Sequence, residues 1–370
     1  MPFKSLLIFN CIIFLFVSCN KKKPVEPVNA GKNTVETAVG FSIEHFEAYT
    51  KLTIKAPYLN SEDVYEFKLS RNPKSDDMIK IPVENIVVTS TTHIAMLELL
   101  GVEDKLVGYP NTDYISSEKT RTLIESGVIK ELGHEEQINT ELLLDLKPDL
   151  VVGFSMNSNN KMYQTIENFG IPVILNGDWL EKTPLGRAEW IKFFGLLFDK
   201  EKEAAKIYDQ VTTNYNDAKV LAQTAKTRPT VLSGGLYKDI WNLPAGDSFE
   251  ATFLRDANSE YLWNDSSGTA SLSLSIESVY NKGKDADIWL SPSYFSSLED
   301  LKNSNEIYAN FKAFQNREIY SFVNRKGPTG GIIYFELAPA RPDLVLQDLI
   351  KIMHPELLPN YEFTFFERLK

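Results

Sequence analysis

Short apolar runs alternate with helix-like stretches through the middle of the chain. The run "ENIVVTS" (84–90) is apolar between polar ends, which is typical of a buried strand, and "THIAMLELLG" (92–101) has helical spacing and stops at a glycine. The same alternation returns in "DKLVGYP" (104–110), "NTELLLDLKPDLVVGF" (139–154), "KMYQTIENFG" (161–170) and "IPVILNG" (171–177). This pattern predicts a compact α/β lobe with a mostly parallel sheet over 81–182.

A long stretch with little turn signal follows, and an α/β pattern then resumes. Between 183 and 227 the apolar residues fall at helical spacing, which predicts a bridging helix, although a break near 195–200 interrupts it. Strand-like and helical segments then alternate in "PTVLSGG" (229–235), 248–256, 275–280, "DADIWLS" (285–291), "REIYSFV" (317–323) and 342–353. The predicted fold class is therefore α/β, with two lobes bridged by a long helix and the second lobe over 228–370.

The segment 41–80 has a different period. Polar and apolar residues alternate in "EAYTKLTIKA" (47–56) and "DVYEFKLSR" (63–71), and the polar residues 60–62 lie between these two runs. A period of two residues is that of a half-buried strand. We therefore expect a small N-terminal β-hairpin that packs beside the main body.

The first forty residues have the layout of an export signal. The apolar run from Leu6 to Val17 is too short to span a bilayer, and it follows the charged Lys4. Cys19 comes directly after it, an arrangement that resembles a bacterial lipoprotein signal with acylation of the Cys19 thiol. The alternative is an ordinary signal peptide with Cys19 incidental. We predict a signal peptide over 1–18 and a flexible, polar tether over 19–40 that holds the protein at a membrane of the cell envelope.

Composition narrows the function classes. The formal net charge is −11, and no basic cluster occurs outside the tether, so we expect no nucleic-acid partner. The chain has two cysteines, Cys11 and Cys19, and the first lies within the predicted signal. The mature domain must therefore be held by its core and not by disulfides. We expect a monomer.

Catalytic and metal-binding motifs are weak in this sequence. "GFSMN" (153–157) lacks the second glycine of a nucleophile elbow, and no P-loop or dinucleotide fingerprint occurs. Four histidines are spread along the chain, whereas a zinc site needs several converging ligands. We therefore expect no enzyme, no intrinsic cofactor and no direct metal site, with His93 as the first residue to reconsider if a free metal ion were bound.

Ligands of open α/β sheets gather at the carboxyl ends of the strands. These ends carry aromatic and hydrogen-bonding side chains with few charges, which suits a large, partly flat organic ligand held between two lobes. The ligand-binding candidates are Thr91, Thr92, His93, Tyr109, Tyr114, Ser155, Asn157 and Trp179 in the first lobe, and Tyr237, Trp241, Tyr294, Arg325, Tyr334 and Glu336 in the second.

The sequence between about 81 and 358 resembles the periplasmic binding proteins for iron–siderophores, haem and cobalamin that supply ABC importers. The resemblance rests on "ENIVVTSTTHIAMLELLGVEDKLVGYPN" (84–111), "INTELLLDLKPDLVVGF" (138–154), "LSIESVYNKGKDADIWL" (274–290) and "RPDLVLQDLIKIMHPEL" (341–357). It implies a lipid-anchored periplasmic protein that captures an iron–siderophore or related metal chelate and delivers it to an inner-membrane permease. The alternatives are cobalamin or haem, then a free divalent metal, or a surface lipoprotein hydrolase from a different class.

The resemblance also implies a permease-docking glutamate on each lobe. Glu277 matches the position in the second lobe, whereas Ala95 stands at the usual position in the first, and Glu98 one turn later is the substitute. In one branch of the family a Trp-Glu pair precedes the closing helix. Here Phe335 stands before Glu336 in place of that tryptophan.

Overall fold

The computed structural model describes residues 31–134 and 137–370. The predicted signal peptide and Cys19 lie outside these residues. The end of the predicted tether does not: the backbone N–H groups of residues 36–40 donate hydrogen bonds to the carboxylates of Glu181 and Glu189. The folded domain therefore begins before residue 40. No helix in the described ranges is long and apolar enough to cross a bilayer.

The N-terminal segment forms a four-stranded sheet, larger than the predicted hairpin. Its strands are β1 (Phe41–His45), β2 (Thr50–Lys55), β3 (Val64–Ser70) and β4 (Met78–Lys80), in the order β1-β2-β3-β4. The first three strands are antiparallel, and β4 runs parallel to β3. Apolar side chains on one face, including Phe41, Leu52 and Leu69, join the core of the first lobe. This sheet is therefore an integral part of lobe one.

Lobe one is the predicted parallel α/β unit. Its elements are β5 (Ile86–Val88), α1 (Thr91–Leu100), β6 (Leu106–Tyr109), α2 (Glu118–Glu125), β7 (Lys130–Glu131), β8 (Gly133–His134), β9 (Gln137–Ile138), α3 (Thr140–Leu146), β10 (Leu150–Gly153), α4 (Lys161–Asn168) and β11 (Val173–Leu175). The five-stranded sheet has the order β11-β10-β5-β6-β7, and every pairing is parallel. Short 3₁₀ turns lie at Glu103–Lys105, Thr112–Tyr114 and Asp178–Leu180.

The bridge consists of three helices, and the break near 195–200 in the sequence pattern falls between the second and the third. They are α5 (Pro184–Glu189), α6 (Ile191–Leu197) and α7 (Glu201–Ala222). The break after α6 needs a glycine, because a Cβ at Gly195 would lie 2.5 Å from the Cβ of Ala204 on α7. Helix α7 joins the lobes: Tyr208 and Val211 pack in the core of lobe one, whereas Tyr215 and Ala222 pack in that of lobe two.

Lobe two repeats the α/β plan with additions. Its elements are β12 (Thr230–Ser233), β13 (Gly235–Tyr237), β14 (Ile240–Pro244), α8 (Phe249–Asp256), β15 (Glu260–Tyr261), β16 (Ser271–Leu274), α9 (Ile276–Gly283), β17 (Ile288–Leu290), α10 (Leu298–Ser304), a 3₁₀ turn (Glu306–Asn310), α11 (Lys312–Gln315), β18 (Ile319–Ser321), α12 (Ile333–Leu337), α13 (Pro342–Met353) and β19 (Glu367–Arg368). The main sheet has the order β15-β12-β17-β18-β19, parallel except for β19, and β13, β14 and β16 form an antiparallel sheet. The predicted pair of mostly parallel α/β lobes is confirmed.

The lobes also touch away from the bridge. The carboxylate of Glu336 on α12 accepts hydrogen bonds from the backbone N–H groups of Ser116 (2.7 Å) and Ser117 (3.1 Å), just before α2. A Cβ at Gly327 would lie 2.3 Å from the Ser116 carbonyl oxygen, and one at Gly331 would lie 2.2 Å from that of Tyr114. Glycine at these two positions lets the loop before α12 approach lobe one closely.

Candidate ligand-binding cleft

Exposed aromatic side chains follow the strands of both lobes. Tyr114 lies in the loop after β6 and is 64% exposed, while Tyr237 at the end of β13 and Tyr294 after β17 are 69% and 72% exposed. In lobe two these positions are neighbours, because the Ser293 hydroxyl donates a hydrogen bond of 3.2 Å to the Leu236 carbonyl oxygen. The structure therefore offers aromatic contact surface at the carboxyl ends of strands in each lobe, as the sequence predicts.

Several other predicted site residues are also accessible at strand ends. Asn157 is exposed, whereas Thr91, Thr92, Trp179, Arg325 and Tyr334 are partly buried. Ser155 and Tyr109 are more enclosed, at 8% and 3% exposure. The Ser155 hydroxyl is within hydrogen-bonding distance of the Asn157 carbonyl oxygen and of Asn160 Oδ1, so it stabilises its own loop.

His93 does not line the cleft. It is fully buried on α1, with its ring 5.4 Å from that of Phe194 on α6, and neither ring nitrogen has a hydrogen-bond partner among the described residues. Burial lowers the pKa of His93 to about 3, so the ring is neutral at physiological pH. His93 does follow a strand, as the sequence predicts, but the first turn of α1 directs its side chain into the core. We therefore remove His93 from the predicted ligand contacts.

Trp241 is also a core residue. It is fully buried and stacks on Trp289 at a centroid separation of 5.3 Å, and its indole N–H donates to the Ser233 carbonyl oxygen at 3.1 Å. Tyr308 and Phe311 complete this aromatic cluster. The prediction of Trp241 as a ligand contact is wrong for this structure, because β14 turns its side chain into lobe two.

Glu336 connects the lobes and is 4% exposed. Its carboxylate is occupied by Ser116 and Ser117, as described above. Burial raises the pKa of Glu336 to about 7, and the charge of Glu98 acts in the same direction. The predicted ligand contact is therefore a connection between lobe one and lobe two.

The lobe-one side of the cleft has a polar floor. Asp178 is buried, and its Oδ2 accepts a hydrogen bond of 2.7 Å from the Thr92 hydroxyl, whereas its Oδ1 has no partner among the described residues. Burial raises the pKa of the Asp178 carboxyl. Trp179 lies next to it, with its ring 5.7 Å from that of Phe154. This floor combines an aromatic face with an incompletely satisfied carboxylate.

Arg187 on α5 was missed by the sequence analysis. Its Nη2 donates a hydrogen bond of 2.6 Å to the Trp179 carbonyl oxygen, and its guanidinium carbon lies 3.5 Å from the ring centroid of Phe249 on α8. It therefore contacts both lobes. Burial lowers its pKa, against the opposing effect of Asp178 and Glu250. A single arginine among the small and apolar residues that follow β11 is the signal that could have identified it.

A cavity of about 210 Å³ lies at the strand ends of lobe two. Ser233 and Leu290, the last residues of β12 and β17, line it, and its inner wall is formed by α8 and α13. Its titratable side chains are Glu250 and Tyr334, and burial raises the pKa of both groups. Glu250 was not among the predicted residues, because a glutamate in the first turn of a helix, here two residues after the Ser248 cap of α8, is common on protein surfaces.

The two predicted docking glutamates differ in environment. Glu98 accepts hydrogen bonds from the hydroxyls of Ser117 and Thr120, so it is engaged inside lobe one. Glu277 is exposed in the first turn of α9, where hydrogen bonds from its own backbone N–H and from Ser275 lower its pKa. In the described part of the chain, no group of three or more His, Cys, Asp or Glu side chains could hold a metal ion.

Known proteins share this architecture. An uncharacterized lipoprotein of Methanocaldococcus jannaschii is 26% identical over 299 residues, which cover 78% of this chain and 69% of the relative. A possible iron-binding (periplasmic solute-binding) protein from Staphylococcus epidermidis superposes with a TM-score of 0.58 at 18% identity, covering 74% of this chain and 99% of that one. A periplasmic heme-binding protein of Vibrio cholerae gives a TM-score of 0.55 at 21% identity, covering 71% and 99%.

At these identities the two solved structures establish a common fold. The family itself is established by the sequence: a model described as periplasmic binding protein matches residues 86–325, from the start of β5 to the loop after β18. This span contains the strand ends of both lobes and the whole bridge. The chain therefore belongs to the periplasmic binding protein family.

Proposed function

We propose that this protein captures a metal chelate, in the first place a ferric siderophore, between its two lobes and delivers it to the permease of an ABC importer. The observation that carries the proposal is the exposure of Tyr114, Tyr237 and Tyr294 at strand ends in both lobes. Exposed aromatic faces suit a large, partly flat ligand. The name of the Staphylococcus epidermidis protein, a possible iron-binding protein, supports the proposal that the ligand contains iron.

The working cycle consists of capture, closure and release. Helix α7 packs in both cores, so the relative motion of the lobes is limited, and closure changes the contacts at the strand ends and at the Glu336 connection. A ligand shifts such an equilibrium only through contacts that differ between the open and closed forms. Side chains that reach across the cleft therefore determine the response.

Tryptophan fluorescence tests the proposal directly. Trp179 is partly buried, whereas Trp190, Trp241, Trp263 and Trp289 are core residues, so Trp179 is the reporter nearest the ligand. The purified protein is titrated with ferric hydroxamates, ferric catecholates, haem, cobalamin and free Zn²⁺ or Mn²⁺. We expect saturable quenching by a ferric chelate. Quenching by haem or cobalamin alone would assign the alternative cargo, and a response to free metal alone would contradict the proposal.

Alanine variants of the exposed tyrosines test where the ligand binds. Tyr237→Ala and Tyr294→Ala remove exposed rings and should weaken chelate binding about fivefold each, because a ring stacked on a ligand contributes about 1 kcal/mol. Tyr65→Ala is the matched control, since Tyr65 on β3 of the N-terminal sheet is also exposed, at 40%. Unchanged affinity in both cleft variants, with a folded protein, would place the ligand elsewhere.

We also propose that Cys19 carries a lipid that anchors the protein in the cell envelope. The lipoprotein from Methanocaldococcus jannaschii supports this assignment through its sequence similarity. Mass spectrometry of the membrane-extracted protein should show an acylated N-terminal peptide that begins at Cys19. The Cys19→Ala variant should appear in the soluble fraction, and an unmodified Cys19 in the membrane fraction would contradict the assignment.

Permease docking is assigned to Glu277 in preference to Glu98. An exposed carboxylate is free to pair with a basic group on a partner and to steer its approach, whereas Glu98 is occupied by two hydroxyls of its own lobe. A second docking carboxylate on lobe one is not required by this proposal.

A further inference from the structure

A carboxylate and a phenol in the lobe-two cavity make no hydrogen bond to the described residues. Among the described residues, no donor binds the carboxylate of Glu250, and the hydroxyl of Tyr334 makes no hydrogen bond. Tyr334 is fixed by stacking on Phe322 at 4.4 Å, so its hydroxyl is held in place. The buried carboxylates of Glu189 and Asp348, in contrast, accept several hydrogen bonds each. Glu250 is only partly buried, and a bound group that removes its carboxylate from solvent must itself supply hydrogen-bond donors.

The charges around this cavity do not balance. Arg187 provides one positive charge at the junction of the lobes, and the carboxylates of Asp178, Glu250 and Glu181 act on it. Arg187 does not close the gap by direct pairing, because its hydrogen bonds go to the carbonyl oxygens of Trp179 and Glu181. The cluster therefore contains more carboxylates than cationic side chains.

The shape of the cavity limits what can enter. Its volume of about 210 Å³ is below the roughly 300–1,000 Å³ of sites that enclose a whole drug-sized ligand. Its inner wall is apolar, built from Phe253 and Leu254 of α8 and Val345 and Leu349 of α13. A metal chelate is too large for this space, but one of its substituents would fit, with an apolar stem against the wall and a charged end at Glu250.

We infer that the lobe-two cavity is a side pocket for an aliphatic ammonium arm of the transported ligand, paired with Glu250 and supported by the Tyr334 hydroxyl. This inference rests on the proposed function for the identity of the rest of the ligand, a metal chelate in the cleft. The pocket itself is defined by the structure of lobe two alone. An ammonium group supplies up to three hydrogen-bond donors and the missing positive charge.

A matched pair of chelates tests the inference. Ferrioxamine B is a ferric hydroxamate with a free pentylammonium arm, and its N-acetyl derivative keeps the chelate but loses the charge. We expect the protein to bind the ammonium form at least about tenfold more tightly, a factor that corresponds to about 1.4 kcal/mol and lies at the lower end of what close charge pairs in interfaces contribute. Glu250→Gln should abolish this preference without lowering the melting temperature, because the carboxylate has no partner to lose.

Two further variants define the contribution of each group. Tyr334→Phe removes only the hydroxyl and should reduce the preference by a smaller factor than Glu250→Gln. Glu277→Gln changes an exposed glutamate outside the cavity and should leave the preference intact. If both chelates bind the protein equally, the ammonium pocket is refuted while the chelate proposal stands.

A second measurement does not depend on the chelate. Pentylamine at neutral pH should raise the melting temperature of the protein, whereas the isosteric neutral pentanol should not, and Glu250→Gln should lose the response. If no ferric chelate binds but pentylamine still stabilises through Glu250, the proposed cargo fails and the pocket survives. If pentylamine gives no shift, or a shift that Glu250→Gln retains, the pocket is refuted.

Discussion

Two groups of glutamates in this protein have opposite environments. On the bridge, Glu189 accepts hydrogen bonds from the N–H groups of residues 36, 37 and 38, and from Lys192 Nζ at 2.7 Å. Glu181 accepts from residues 39 and 40 and from the indole of Trp190. In the lobe-two cavity, Glu250 accepts none from the described residues. Glu181 and Glu189 attach the backbone of residues 36–40 to the bridge region, whereas Glu250 faces the open space of the cavity.

This difference in hydrogen bonding distinguishes carboxylates that stabilise the fold from a carboxylate that is available to a ligand. A buried carboxylate with several donors holds its surroundings in one arrangement, and its removal leaves those donors unsatisfied. A carboxylate without donors destabilises the empty protein and is retained where a ligand benefits from it. Glu336 lies between these extremes, because two N–H groups bind it while burial still raises its pKa to about 7. Substitutions of these glutamates should therefore change the free energy of unfolding by different amounts and in different directions.

The largest effect is expected for Glu189→Ala. Three backbone N–H groups and the nearly buried Lys192 lose their acceptor, and the N-terminal strap of residues 36–40 loses half of its attachment to the bridge. Breaking a buried charge pair of this kind costs about 4 kcal/mol. Urea unfolding should show this decrease in the free energy of unfolding. The control is Glu203→Ala on the exposed side of α7, where the pair with Lys200 is a surface contact and the change should stay below about 0.5 kcal/mol. A loss at Glu189 as small as that control would refute the scaffold role.

Glu336→Gln should change the pH dependence of stability. The folded pKa of about 7 lies above the ordinary value of 4.5, so between these two values the folded state binds more protons than the unfolded state. Stability therefore falls as the pH rises through this window, by up to about 3 kcal/mol, and the loss is complete above the folded pKa. The neutral glutamine should not show this fall. Unfolding curves at several pH values for both proteins give the difference, and parallel pH profiles would contradict the raised pKa.

His93→Leu should stabilise the protein by about 1 kcal/mol at neutral pH, because it removes two buried nitrogens without partners and keeps a similar volume. The pH dependence has the opposite sign from that of Glu336. The folded pKa of about 3 lies below the ordinary 6.5, so the unfolded state takes up protons first and wild-type stability falls as the pH drops below 6.5. The advantage of the leucine variant should therefore grow in acid. A destabilised variant at both neutral and acid pH would indicate a polar role for the ring.

Local patterns were sufficient for most of the fold. The strand β5 and the helix α1 follow directly from the apolar runs that predict them, and Gly101 ends α1 in the left-handed conformation, with φ 66°. The break between α6 and α7 depends on contact between Gly195 and Ala204, which lies outside any single helical period. The helix α2 was missed because "EKTRTLIE" has few apolar residues, and its Ser117 cap is a weak signal alone.

The site was less predictable because it depends on side-chain direction. Position after a strand indicated Tyr237 and Tyr294, and both side chains are exposed in the structure. The same rule wrongly included His93 and Trp241, since a helix turn and a strand pleat direct them into the cores. Arg187 lies on the bridge, and only tertiary packing brings it to Phe249 and Glu250 of lobe two. No spacing pattern along the sequence predicts this contact.

The smallest effect on stability is expected for Glu277→Gln. This glutamate is exposed on α9 and has no buried donor to lose, so the free energy of unfolding should change by less than about 0.5 kcal/mol. Chelate binding should also be unchanged, because Glu277 lies outside the cleft and the cavity. Only stimulation of the permease ATPase in reconstituted vesicles should fall, and more so at low salt, where charge steering is strongest. Glu98→Gln provides the comparison: it should lose stability through Ser117 and Thr120 and leave ATPase stimulation intact. The reverse result, with Glu98 needed by the permease and Glu277 dispensable, would show that a carboxylate engaged within its own lobe can still serve a partner.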